Sequence, residues 1–267
     1  MNAASMAIAD GITMAKRNTI KLIRVPDLLG SVITTPIIFV LLFRYIFGNQ
    51  IEIPGMTYQE YMLPGVFALT AISGAAISGY MLVGDLEQGI IDRLRTLPMS
   101  PSAVLVGRTT SDLLINGISL IMMVVMGLVV GWRIHTSVPE AILGILVMLL
   151  FAYAFSWATT VAALAIRTPA AFNNISTVAI FPLTFLANTF INSTKLAGPL
   201  QVIANWNPVS AVTQAARELF GNTSSAMPAP NAWPLQHPVT ASLLWSAVML
   251  VVFIPLATRR YQKAVSR

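Results

Sequence analysis

Only a few residues in this chain of 267 could do chemistry, and their types and spacing exclude most kinds of it. The two histidines, His135 and His237, both fall in loops between apolar stretches, so neither an intramembrane Ser-His pair nor a zinc-binding H-E-x-x-H can be assembled. No glycine is followed by lysine, so the chain has no G-x-x-x-x-G-K-[ST] phosphate cradle and cannot hydrolyse ATP alone. With no cysteine, disulfide, thiolate and Cys-metal chemistry are excluded. Four groups of polar residues remain. Arg108, Asp112 and Asn116 recur one turn apart; the local reading is an Arg108 to Asp112 ion pair, and the sharper one a transport role for Asp112 and Asn116. Asn173, Asn174 and Asn188 read either as polar glue between helices or as the lining of a substrate path. The third group is the charged segment Asp85 to Pro98, and the fourth is Trp206-Asn207-Pro208 with Arg217.

The elements that must position these residues are helices in a bilayer. The composition is 56% hydrophobic and 10% charged, where a soluble domain has about 25% charged residues. Crossing a bilayer core takes about 20 apolar residues of helix. Six stretches qualify: about Leu28 to Gly48, Tyr61 to Gly84, Ala103 to Val130, Ala141 to Ile166, Ala171 to Ile191 and Pro238 to Ala257. Ahead of them, residues 5 to 25 alternate Ile8, Ile12, Ala15 and Thr19 with Arg17, Lys21 and Arg24 at helical spacing, which predicts an interfacial amphipathic helix ended by Pro26. Ser73, Gly74, Ala75, Ser78 and Gly79 in the second stretch permit close helix contacts. Residues 192–237 are too polar to span; Leu196 to Trp206 and Val209 to Phe220 read there as two short, partly embedded helices. There is no internal repeat and no separable soluble domain, so residues 1–267 are expected to form one membrane domain.

The net charge of +6 follows the ends of the apolar stretches rather than one soluble face, which argues against nucleic acid. Twelve Lys and Arg residues lie on one side: Lys16, Arg17, Lys21, Arg24, Arg93, Arg95, Arg108, Arg167, Arg259, Arg260, Lys263 and Arg267. Three, Arg133, Lys195 and Arg217, lie on the other, and Arg44 sits within a span. The positive-inside rule then puts both termini and the Asp85 segment in the cytoplasm, with residues 192–237 outside.

Within that segment Leu86, Ile90, Leu94 and Leu97 share a helical face while Asp85, Glu87, Asp92 and Arg95 point elsewhere. One short amphipathic helix over residues 85–98, stopped by Pro98, is expected, either docking a cytosolic partner or anchoring two spans at the interface.

The string Leu86-Glu87-Gln88-Gly89-Ile90-Ile91-Asp92-Arg93-Leu94-Arg95-Thr96-Leu97-Pro98, followed by Gly107-Arg108, resembles the first cytoplasmic loop of type-2 ABC transporter permeases, especially the daunorubicin-resistance branch. Glu87 and Gly89 match that family's E-x-G motif, and Asn207-Pro208 with Arg217 resembles its N-P-x(8)-R stretch; Val209-Ser210 stands where the family often has Leu-Thr. The resemblance covers essentially the whole chain. It implies six spans, an N-terminal interfacial helix, a coupling helix that touches an ATPase through Asp85, Glu87, Gly89, Asp92, Arg93 and Arg95, and paired short outer helices before the last span. It implies no catalysis and no cofactor on this chain, with ATP and Mg on two copies of a cytosolic ATPase, and a permease homodimer in a bacterial cell membrane. The implied cargo is an amphiphilic drug, antibiotic, lipid or glycolipid. A polysaccharide or lipid-linked glycan exporter of the same superfamily, or an ATP-independent channel or secondary transporter, is the alternative.

Overall fold

Four helix starts follow directly from capping chemistry. Thr57 and Glu60 exchange hydrogen bonds in a capping box, with Thr57 N donating to Glu60 Oε2 at 3.0 Å, and launch α1 (Tyr58–Glu87). Ser137 and Glu140 repeat the arrangement at 2.9 Å to launch α4 (Val138–Ala163). Thr168 caps α5 (Pro169–Phe185) and Asn207 caps α7 (Pro208–Phe220), each with proline at the first helical position, where its missing N–H costs nothing. Between these lie α2 (Ile90–Arg95), α3 (Pro101–Val129) and α6 (Gly198–Trp206), and the chain closes with α8 (Trp233–Gln236) and α9 (Pro238–Val265).

The computed structural model describes residues 52–95 and 101–265 except 191, 192, 194, 195 and 229, together with residues 13, 16, 20, 30, 34 and 37–47. Most of the expected interfacial helix and of the first span lies outside these residues. The helical run Ile37–Ile46 belongs to that span, and Phe43–Phe47, which includes Arg44, is a π-helical turn. Every named element among the described residues is a helix, and four of these helices are long and apolar enough to cross a membrane: α1, α3 from Leu105, α4 and α9. The fifth expected span is shorter than its apolar stretch. α5 has 17 residues, about 25 Å of helix, and the chain turns at 186–190.

The most direct sign of the surrounding medium is α3, which is built inside out. Leu114, Ile118, Ile121 and Val125 recur at helical spacing and are 47% to 57% exposed, while Arg108, Asp112, Asn116 and Ser119 recur on the opposite face and are buried. Water would favour the reverse, whereas lipid favours apolar residues out and polar residues against other helices.

α1 is the central helix and packs against α4, α3, α7 and α5. Its small residues permit this. Gly74 lies so close to Asn116 of α3, and Gly79 so close to the Phe172 ring of α5, that a Cβ at either position would overlap them, and the Ala75 carbonyl accepts from Thr159 of α4 at 3.0 Å. Two apolar clusters result. One, at the end carrying Trp132, joins Met62, Phe67, Met123, Phe151, Val212 and Phe220. The other, at the end carrying Asp85, joins Leu82, Ile91, Leu105, Trp157, Phe172 and Tyr261.

Candidate functional site

The first candidate site is the connection from α1 to α3. The expected single helix over 85–98 is instead two pieces. α1 continues through Glu87, Gln88 and Gly89 form a turn with Gly89 at φ +65°, and α2 follows from Ile90. That left-handed backbone favours glycine, and it re-phases the helix. Leu86 and Ile91, rather than Leu86 and Ile90, therefore meet the apolar cluster, and Ile91 is buried. Glu87, Gln88 and Arg93 are exposed beyond the turn. The side chains of Asp92 and Arg95, and all of residues 96–100, lie outside the described residues.

Asp85 is not on that exposed surface. It is 2% exposed, and its Oδ2 accepts from Arg108 Nη1 at 3.0 Å. Arg108 also donates twice to Ser78, with Nε to Oγ at 3.2 Å and Nη2 to the carbonyl at 2.7 Å. This corrects the expected Arg108 to Asp112 ion pair: the guanidinium reaches across to α1 instead of one turn along its own helix. Asp112 and Asn116 are both buried in the same seam between α1 and α3.

The second candidate site surrounds α7. Arg217, read from the sequence as an outer-side cation, is 2% exposed. Its Nε donates to the Tyr61 carbonyl at 2.8 Å, its Nη2 to the Thr189 carbonyl at 3.0 Å and its Nη1 to Gln214 Oε1 at 3.5 Å, and its Cζ lies 3.7 Å from the centre of the Tyr61 ring. The guanidinium fork suits two carbonyls from separate strands of chain, and the ring face adds a cation–π contact. Gly65 makes the arrangement possible, since a Cβ there would lie 2.9 Å from the Thr189 carbonyl oxygen.

Asn188 completes this seat. Its Oδ1 accepts from Tyr61 Oη at 2.8 Å, its backbone N–H donates to Ser210 Oγ at 2.8 Å, and its Nδ2 donates to Gln214 at 3.4 Å. Asn207 accepts from Val209 N at 2.8 Å and donates to the Leu183 carbonyl at 2.6 Å, which ties the start of α7 to α5. Asn173 and Asn174 are apart from this network and exposed on α5.

The far end of α7 is latched as firmly. Trp132 sits edge-on to Phe67 and Phe220, with ring centres 5.2 and 5.3 Å away, and its Nε1 donates to Asn222 Oδ1 at 2.8 Å. His135 N donates to the Phe220 carbonyl at 2.9 Å and its ring meets Glu60 at 2.7 Å. α6 differs: Leu200, Val202, Ile203 and Trp206 are 43% to 60% exposed. Hydropathy located both short helices. The lone helical turn α8 was not anticipated, and the Ala232 N-cap preceding its proline gives little signal.

Buried polar bonds thus join α1 to α3 and α7, and an exposed turn connects α1 to α2. Residues 11–220 match the family described as ABC-2 type transporter. The chain belongs to that family. It is 28% identical over 260 residues to a daunorubicin resistance ABC transporter permease of Streptomyces coeruleorubidus, covering 97% of this chain and 88% of the relative. It is 22% identical over 258 residues to a protein named as a probable doxorubicin resistance ABC transporter permease of Mycobacterium tuberculosis, covering 96% and 90%. This is therefore a multi-pass ABC-2 membrane permease, homologous to permeases of drug-resistance transporters.

Proposed function

We propose that this chain is the membrane-spanning subunit of an ATP-driven exporter that moves an amphiphilic drug, antibiotic, lipid or glycolipid out of a bacterial cell. The observation that carries the reading is the near full-length similarity to a permease named for daunorubicin resistance. The names of two relatives favour a drug cargo over a glycan. The chain forms one domain with six spans, the first lying around Ile37–Ile46 and the fifth built on α5. Two copies pair as a homodimer, and two copies of a cytosolic ATPase bind ATP and Mg. The exposed Glu87–Gly89 turn and Arg93 receive the push of that ATPase, and the buried Asp85 to Arg108 bond passes it from α1 to α3. The α6 and α7 helices cover the outer exit. The physical device is a pair of bundles with two arrangements, biased by contacts that differ between them.

Glu87→Lys tests the coupling. Folded yield should stay near wild type, because the side chain is exposed. Loss of a charge-assisted contact of about 1.5–3 kcal/mol should weaken co-purification of the ATPase about ten- to hundredfold, with transport per folded molecule falling in parallel. Unchanged association and transport would overturn the assignment.

Orientation is checked through the absence of cysteine. Single cysteines at Ser5 and Ser266 should resist an impermeant thiol reagent in intact cells, while one at Ser225 should react. The opposite pattern would reverse the topology.

A further inference from the structure

α9 is longer than a bilayer core is thick. Its 28 residues make about 42 Å of helix against a hydrocarbon core of about 30 Å, so about eight residues project beyond the core. They project at the C-terminal end, because the first charged residue of α9 is Arg259. Before that point one side of the helix is apolar and bare: Leu244, Val248, Val251 and Val252 are 51% to 72% exposed. Arg259 is exposed on the same side, two turns or about 10 Å beyond Val252, and Lys263 follows at the next turn. Ala257 and Tyr261 occupy the opposite side and are buried in the apolar cluster at the Asp85 end.

Arg260 stands beside this stripe. It is exposed, and its Nη1 donates at 3.2 Å to the carbonyl of Val161, in the last turn of α4. Arg167 is exposed in the connection that leaves the same end of α4. No acid on these elements offsets the cations: α9, α5 and the connection before α5 have none, and α4 has only Glu140, at its far end. Asp85 and Asp112 are buried between α1 and α3.

We propose that this end of α9 is a binding site for an anionic phospholipid, with the phosphate held by Arg259 and Arg260 and the acyl chains lying along Leu244 to Val252. The inference rests on the orientation proposed above, which puts the site in the cytoplasmic leaflet. Continuity of the stripe selects a lipid over a protein: a cytosolic partner can meet the arginines but not the apolar residues inside the core, whereas a phospholipid carries a charged head and apolar tails in that order. The guanidinium fork matches phosphate oxygens, and basic residues at a cytoplasmic helix end are drawn to anionic lipid.

Native mass spectrometry of the full-length permease in a neutral detergent measures dissociation constants for phosphatidylglycerol and phosphatidylcholine of equal chain length. Wild type should prefer phosphatidylglycerol. Arg259→Gln should lower that preference about fivefold, and Arg259→Gln combined with Arg260→Gln about thirtyfold. Arg133→Gln, at the Trp132 end, should leave it unchanged, and inorganic phosphate should not displace the lipid, since it has no chains to seat. Arg259→Gln keeps the Val161 bond, so it tests the site even where the double variant folds poorly. Equal binding of the two lipids by wild type, or an intact preference in Arg259→Gln, would overturn the proposal. So would displacement by inorganic phosphate, which marks a plain anion site, or loss of ATPase co-purification in Arg259→Gln with the lipid preference kept, which assigns the arginine to the ATPase. Reversed cysteine labelling at Ser266 would overturn the orientation and the leaflet, while the lipid constants, measured in detergent, read the site itself.

Discussion

Arg217→Ala is expected to leave little folded protein. The substitution strips the Tyr61 and Thr189 carbonyls of a charged donor inside a closed interior, at a cost of about 1–3 kcal/mol for each group left unsatisfied. Loss of the contact with the Tyr61 ring adds up to about 2 kcal/mol. The sum rivals the margin of roughly 5–15 kcal/mol that holds a typical protein folded. Arg217→Lys should recover only part of the loss, because an ammonium lacks the planar fork that reaches two carbonyls at once. Monodisperse yield after mild detergent extraction, with the unfolding temperature of what remains, measures both variants. Wild-type values for Arg217→Ala would mean that this bond network carries no stability.

Asp85→Ala should be nearly as damaging by a different route. It leaves Arg108 buried without its carboxylate, and breaking such a pair from one side costs about 3–5 kcal/mol. Removing both charges should cost far less, since apolar side chains of similar volume often replace a buried ion pair without loss. Asp85→Leu combined with Arg108→Met is therefore expected to fold better than Asp85→Ala alone. Unfolding temperatures of Asp85→Leu, of Arg108→Met and of the double variant close the cycle. Additive losses would show that Arg108 is held by Ser78 and gains nothing from Asp85. Transport by the folded double variant then reports whether the bond is also needed for coupling, as distinct from Glu87→Lys, which leaves the bond intact.

Much of the architecture was legible because hydropathy and capping act locally. α1, α3, α4 and α9 follow from runs of apolar residues, and the start of α7 follows from Asn207-Pro208, where the cap and the proline agree. What depends on contacts distant in sequence was not legible. Arg108 and Asp112 are one turn apart, so the local rule pairs them; the actual partner, Asp85, lies 23 residues upstream on another helix. Arg217 sits in a polar stretch and was counted with the outer-side cations, yet the fork is seated among backbone carbonyls, which leave no mark in the sequence. The Gly89 break was hidden by coincidence: Leu86, Ile90, Leu94 and Leu97 are spaced like a continuous helical face, and the glycine interrupts the phase. Asn188 could be read as glue or as a path lining, and only the fold shows that it bonds Tyr61, Ser210 and Gln214 while Asn173 and Asn174 are exposed on α5.

The seat of Arg217 also sets an order of events during synthesis. Tyr61 emerges 156 residues before the arginine that bonds its carbonyl, and the Thr189 carbonyl appears 28 residues before it. Until residue 217 leaves the ribosome, the head of α1 has neither its cation nor the turn at 186–190 fastened beside it. Long-range closures of this kind form late and leave the nascent chain open to wrong pairings. A ribosome that stalls before α7 therefore leaves a bundle in which the head of α1 and the turn at 186–190 lack their common fastening.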